Sequence, residues 1–319
     1  MSEEKRPLKE ANRLTKLLDM GLSDSDRFPV DVKRVALELT PSFNPDPITE
    51  VQGGSIGKID GVLARHETKN EWAIFYNTDV EHQGRQNFTL AHELGHYMVH
   101  RHNRASGRFE CGENDMLGKD QTTVDIEAEA NAFAASLLMP AHDFRKQADN
   151  QPFCFDLMSH CADRYGVSLT AAVLRWLEFT KKRAIALLSE EGFMHWSKSS
   201  NKAYKSGRYF PTRKRCIEIP ENSAAARECY DPNARNGLQH GPGIWFSDEE
   251  VIEHSIYSEE YGKTLTVLIL SDTVVYTTKS EDNEEEALLT DTYSNFIKNG
   301  QLPYKGFRLL SDRKKLPPK

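Results

Sequence analysis

Residues 90–96 read Leu-Ala-His-Glu-Leu-Gly-His, and His92, Glu93 and His96 are the residue types that carry out metal-assisted chemistry. On an α-helix, residues four apart lie on one face. His92 and His96 can therefore offer two imidazole nitrogens to one ion. Glu93 lies beside that ion and can take a proton from a bound water. H-E-x-x-H on a helix is an arrangement suited to zinc-dependent amide hydrolysis. A pattern this short also arises on helices whose histidines only make packing contacts, so its surroundings have to decide.

A catalytic zinc keeps three protein ligands and leaves one position open for water. Two sources for the third ligand stand in the chain. His102 lies ten residues beyond His92, a spacing at which a third histidine can return to the metal after a glycine turn. The position that needs that glycine holds Val99, a β-branched residue that resists the turn, so the helix should run on and carry His102 away. The other source is the segment Asp125–Met139, where Glu127 and Glu129 project to different faces of a helix and Asn131 shares the face of Glu127. Ala128, Ala130, Ala132, Ala134 and Ala135 make that helix thin enough to approach another closely.

The elements that must position these groups follow from periodicity and punctuation. Leu8, Ala11, Leu14 and Leu18 form one apolar stripe of a helix over 7–20; Val32, Val35, Ala36 and Leu39 form another, stopped by Pro41 and the segment Ser-Phe-Asn-Pro-Asp-Pro. Residues 55–65 and 70–77 read as strands joined by a turn at His-Glu-Thr-Lys-Asn. The Ala-Ile-Phe-Tyr-Asn run in the second is a candidate edge strand for an extended ligand. The motif helix is expected over 88–102, a long loop over 103–123, and helices over 124–138, 153–165 and 169–180. The last two, with Arg-Tyr-Gly-Val-Ser-Leu-Thr between them, make a helix-turn-helix outline. Residues 264–278 read as two strands around Ser271-Asp272, followed by an acidic run and a further helix.

Composition bounds the class. The chain has 319 residues, a net charge of -7, 38% hydrophobic and 28% charged residues, which is a globular balance and not that of a chain coating nucleic acid over its whole surface. No apolar run reaches the roughly 18 residues of a membrane span, and the charged N-terminus has no signal core. Five scattered cysteines without a C-x-x-C pair argue against a disulfide framework or a cysteine metal site. The expected location is the cytoplasm.

The segments Asn-Phe-Thr-Leu-Ala-His-Glu-Leu-Gly-His-Tyr-Met-Val-His and Asp-Ile-Glu-Ala-Glu-Ala-Asn-Ala-Phe-Ala-Ala-Ser-Leu-Leu-Met-Pro, in this order and at this spacing, resemble the ImmA/IrrE family of metallopeptidases. Val-Asp-Val-Lys-Arg-Val-Ala-Leu-Glu-Leu, the Ala-Ile-Phe-Tyr-Asn strand and the 164–177 segment fit the same pattern, so the likeness covers about residues 28–180. It implies an α+β, zincin-like metallopeptidase domain with a small mixed sheet, an H-E-x-x-H helix and a Glu-bearing helix. The organisation expected is an N-terminal helix (1–27), the peptidase core (28–150), a helical, helix-turn-helix-like segment (151–190), and a mixed α/β region (191–319) with a sensing or substrate-docking role. The resemblance further implies Glu127 as the third ligand to Zn2+ (Mn2+ or Fe2+ being the alternatives), Asn131 as a supporting group, and Glu93 as general base. It implies site-specific cleavage of a regulatory protein such as an XRE-like helix-turn-helix repressor. For the oxyanion-stabilising group, His66, His100 and Tyr76 are candidates.

Two rival functions use other features. Residues 192–217 hold seven Lys or Arg (198, 202, 205, 208, 213, 214 and 215) and no acid, interleaved with aromatic residues, so the 198–215 stretch is a candidate for nucleic-acid contact, alone or with the helix-turn-helix outline. A sensor in which the metal site signals without cutting is the other, and the intact Glu93 speaks against it.

Overall fold

The computed structural model describes residues 6–80, 82–102, 107–112, 121–212 and 214–272. The first half is helical with one small sheet. Helix α1 (Pro7–Gly21) buries Ala11, Leu14 and Leu18 as its stripe requires. After α2 (Asp24–Arg27) come α3 (Val32–Arg34), a π turn (Val35–Leu39) and α4 (Thr40–Phe43), one continuous helical stretch. Pro41 does not stop it. The Thr40 hydroxyl donates to the Ala36 carbonyl at 2.6 Å in the turn that the proline interrupts, and the stretch ends at Phe43, inside the expected Ser-Phe-Asn-Pro-Asp-Pro stop.

Strands β1 (Ile48–Gly54), β2 (Ile59–Arg65), β3 (Trp72–Asn77) and β4 (Arg108–Gly112) form a mixed sheet in the order β1-β3-β2-β4. β1 runs parallel to β3, while β2 is antiparallel to both β3 and β4. The expected turn between β2 and β3 is present, with the His66 N–H donating to the Glu71 carbonyl. The edge assignment is overturned: Ala73–Asn77 lies in β3, which is paired on both sides, and the edges are β1 and β4. β4 falls inside the stretch read as a loop.

Helix α5 (Gln83–Gly95) carries the motif and continues as a π turn over His96–His100. Helix α6 (Gln121–Leu138) lies against it, followed by α7 (Ala141–Ala148), α8 (Phe155–Tyr165) and α9 (Leu169–Phe179). Ser168 caps α9 by accepting the Ala171 N–H. Residues 171–177 of α9 are buried without a break, which makes it a core helix. A groove-reading helix needs an exposed face, so the helix-turn-helix outline serves packing here.

The second half is an antiparallel sheet, β5 (Ala184–Glu190), β6 (Phe193–Ser199), β7 (Leu238–His240), β8 (Val251–Ser258) and β9 (Lys263–Leu270), in the order β6-β5-β9-β8-β7, with short helices α10 (Asn201–Lys205) and α11 (Pro232–Asn236) in its connections. Alternation along β5 sends Ala184, Ala186 and Leu188 into a core shared with the first half, and Ile185 and Leu187 into a second core beneath Trp245. Two members of the basic stretch are committed within the chain, buried Lys198 pairing with Glu178 and Arg208 with Asp248 and Glu249, while Lys202, Lys205, Lys214 and Arg215 are exposed. The strand expected after Asp272 and the helix after the acidic run lie outside the described residues. Among the described residues, no helix is long and apolar enough to cross a membrane.

Candidate metal centre

Helices α5 and α6 meet face to face, and Gly95 sets how closely. A Cβ on Gly95 would stand 3.0 Å from Phe133 Cδ1 and 3.1 Å from the Ala130 carbonyl oxygen. A side chain there would require Phe133 and the Ala130 backbone of α6 to give by a few tenths of an ångström. With the glycine in place, Glu127 reaches across. Its Oε2 lies 3.2 Å from His92 Nε2 and its Oε1 3.5 Å from His96 Nε2. The two Nε2 atoms are 3.0 Å apart. Four ligands around a tetrahedral ion at about 2.0–2.1 Å stand roughly 3.3 Å from one another, so these three atoms already occupy ligand-to-ligand spacings. The donor set, two imidazoles and a carboxylate from buried or nearly buried side chains, suits a divalent ion of the zinc, manganese or iron type.

The far side of each imidazole is also held. Asn131 Oδ1 lies 2.7 Å from His92 Nδ1. An amide oxygen can only accept, so His92 donates from Nδ1 and turns the bare Nε2 to the cluster. The His96 ring stacks on Phe109 of β4, with ring centroids 5.0 Å apart and planes 21° from parallel. Glu93 is 0% exposed. Opposite it, β2 carries Gly61, where a Cβ would lie 2.8 Å from Glu93 Oε1 and 2.6 Å from Thr89 Cγ2. The glycine makes the space in which that carboxylate sits.

The charges are strongly coupled. Burial pushes the Glu127 carboxyl up, but the facing His96 and His92 outweigh it and hold the group well below the carboxylate range. Burial drives His96 down to about 4, Glu127 opposing. Burial also lowers His92, but its hydrogen bond and charge interaction with Glu127 and the charge of Glu93 carry it above its ordinary value.

The structure brings together His92, His96, Glu127, Asn131 and the buried Glu93. It leaves out His102, which stands exposed beyond the helix end. Of the oxyanion candidates, His66 closes the β2–β3 turn, its Nδ1 accepting from the Thr68 and Lys69 N–H groups. Tyr76 lies over Gly53 of β1, within 3 Å of where a Cβ on that glycine would be. His100 points its Nδ1 to the rear of His96 and its Nε2 to Glu129, 2.8 Å away. Phe109 and the His100–Glu129 pair are the groups that sequence reasoning missed in these positions. A histidine four residues beyond His96 was the available signal for the pair.

Fold and site together define a class: an α+β domain in which two facing helices offer two imidazoles and a carboxylate to one ion. Residues 55–177 match the family model of the IrrE N-terminal-like domain, a peptidase family, so this stretch is similar to that family. The metallopeptidase ImmA of Bacillus subtilis (strain 168) is 29% identical over 84 residues, which cover 26% of this chain and 44% of that protein. The chain therefore spans less than half the length of the curated relative it matches. Among solved structures, a Mycobacterium tuberculosis transcriptional regulator is similar with a TM-score of 0.51 and 12% sequence identity, covering 83% of this chain and 76% of that one. At that identity the likeness shows the fold.

Proposed function

We propose that this chain is a metal-dependent endopeptidase whose ion is held by His92, His96 and Glu127, with Glu93 as the general base. The observation that carries it is the convergence of the two Nε2 atoms and the Glu127 carboxylate at ligand spacings beside the buried Glu93. His92, His96 and Glu127 would hold a divalent ion, which would supply Lewis-acid chemistry for a scissile carbonyl and lower the pKa of water towards about 7. Glu93 takes the proton of the attacking water and hands it to the leaving amine. Asn131 fixes the ring of His92 so that its lone pair stays on the cluster. Among the described residues β4 is the end strand of its sheet and carries Phe109 beneath His96, so an extended substrate pairing with β4 would run past the cluster.

The substrate we infer is a regulatory protein, with a helix-turn-helix repressor in the cytoplasm as the first choice, which is what the family resemblance implies; the ImmA relative, a metallopeptidase, supports a peptidase activity. The regulator reading has less behind it, since α9 is buried and Lys198 and Arg208 are ion-paired. The test is incubation of protein reconstituted with zinc, manganese or iron with the repressor encoded nearest to it, beside Glu93→Gln. Wild type should cut at one site, and Glu93→Gln should bind the ion yet lose about 10²–10⁴ in rate. If both are inert while metal is bound, the peptidase reading fails.

A further inference from the structure

We propose that His100 and Glu129 form a positioning relay behind His96 that fixes its tautomer and aims its Nε2 at the metal. The inference rests on the metal-site reading above and assigns a role to two residues which that reading leaves unused.

The proton accounting runs inward from the surface. The Glu129 side chain is 43% exposed, so its carboxylate keeps contact with water and its charge is cheap to maintain. Glu129 Oε2 lies 2.8 Å from His100 Nε2. An ionised carboxylate only accepts hydrogen bonds, so the hydrogen of this contact is on His100 Nε2. A neutral imidazole carries a hydrogen on one nitrogen, and His100 Nδ1 is therefore bare. That atom lies 3.2 Å from His96 Nδ1. Two ring nitrogens at this distance bond when one of them carries the hydrogen, and here it must be His96. With its hydrogen on Nδ1, His96 has its free lone pair on Nε2, which faces His92 Nε2 and Glu127. The chain of donation is His96 to His100 to Glu129, and each step is dictated by the one outside it.

The arrangement has a counterpart on the other ligand. Asn131 does for His92 with an amide oxygen what the His100–Glu129 pair does for His96 with an imidazole backed by a carboxylate. Glu127 and Asn131, on one face of α6, serve the cluster and His92, while Glu129 reaches around to the end of the motif helix. His100 is 1% exposed and lies within the π turn that begins at His96. An apolar ring would fill the same volume, so packing alone does not call for two nitrogens in line with His96 and Glu129.

The test compares metal affinity in His100→Phe, His100→Gln and Glu129→Leu with wild type, by zinc competition against a chromophoric chelator. Thermal unfolding of the apo forms and the visible spectrum of the cobalt-loaded forms are recorded alongside. His100→Phe keeps the bulk and removes the acceptor; it should bind zinc about 10–100-fold more weakly and alter the cobalt bands, with apo unfolding little changed. His100→Gln can still accept from His96 Nδ1 and should recover most of the affinity. Glu129→Leu, at a partly exposed position that folding tolerates, should weaken binding several-fold, and it decides the matter should His100→Phe fail to fold. Wild-type affinity in both His100→Phe and Glu129→Leu overturns the relay while leaving the metal site standing. Equal losses in His100→Phe and His100→Gln reduce His100 to packing. A wild-type protein that binds no divalent ion overturns the metal-site reading itself, and the relay with it.

Discussion

Glu93 and Gly61 show how much the chemistry depends on single atoms. A Cβ at Gly61 would stand 2.8 Å from Glu93 Oε1, so Gly61→Ala forces the carboxylate to move while leaving His92, His96 and Glu127 where they are. A displacement of this order at a catalytic group costs about 10²-fold in rate. Gly61→Ala is expected to lower kcat by that factor with zinc affinity unchanged, as measured by repressor cleavage and chelator competition. Glu127→Gln should do the reverse of this separation: removing a charged ligand weakens metal binding by more than the roughly 10–100-fold that supporting groups cost, and activity goes with it. At this scale the sequence was informative because the chemistry is local. His92, Glu93 and His96 are within one helical turn, and Glu127 and Asn131 within another, so spacing alone places each set on a face. The pairing of His100 with Glu129 was hidden because it depends on how two helices are rotated against each other, and no local pattern encodes that.

The contact of α5 with α6 is the structural variable behind the site, and Gly95 controls it. Gly95→Ala gains about 1 kcal/mol of helix propensity and meets about 1–3 kcal/mol of overpacking against Phe133 and the Ala130 backbone. The two nearly offset, so global stability should fall only slightly, while Glu127 withdraws and zinc affinity drops. Calorimetry and metal titration on the same variant separate these effects. A second joint, between α7 and α8, answers to pH. Asp143 accepts from Arg164 at 2.8 and 3.0 Å and from the Tyr165 hydroxyl at 2.8 Å. Burial pushes Asp143 up, but these partners outweigh it and hold it below the carboxylate range. A depressed folded pKa contributes stability that is complete above the unfolded value of about 3.9 and is lost as pH falls through the folded value. Asp143→Asn should therefore cost about 1–2 kcal/mol at pH 7, with the gap to wild type closing below pH ~4, as read from urea unfolding at each pH. Among elements, those with strong periodicity were legible: α1, α5, α6, α8 and α9 stand close to where their apolar stripes put them. β1 and β4 were not, since edge strands are short and bear polar and glycine residues, and missing them turned the central β3 into an apparent edge. The π turns left no sequence signal, because they conserve the apolar face while inserting a residue.

Across the whole molecule, the two sheets do not belong to independent bodies. One apolar core runs from Leu14 of α1 through Leu94 and Phe133 at the site helices to Trp176 of α9, and on to Ala186, Trp196 and Val267 of the second sheet. Phe153 joins them again, against Trp176 on one side and His254 of β8 on the other, at ring centroids 4.8 and 5.0 Å apart. Ion pairs between Glu178 and Lys198 and between Asp156 and Arg235 cross the same seam. The sequence changed character at this seam, yet shared burial of α9 cannot be read from composition, because a helix apolar on every face is compatible with many neighbours. A chain ending before β5 would strip the second sheet from the core it shares with α9, uncovering apolar side chains each worth about 1.5–3 kcal/mol of burial. Losses of that size at several positions approach the whole stability of a domain, about 5–15 kcal/mol. The expected result is that residues 1–183 alone lose cooperative unfolding and zinc affinity together, while the full chain shows a single transition that zinc raises. Two separate transitions in the full chain, with the shortened chain retaining the first, would instead make the second sheet an appended module.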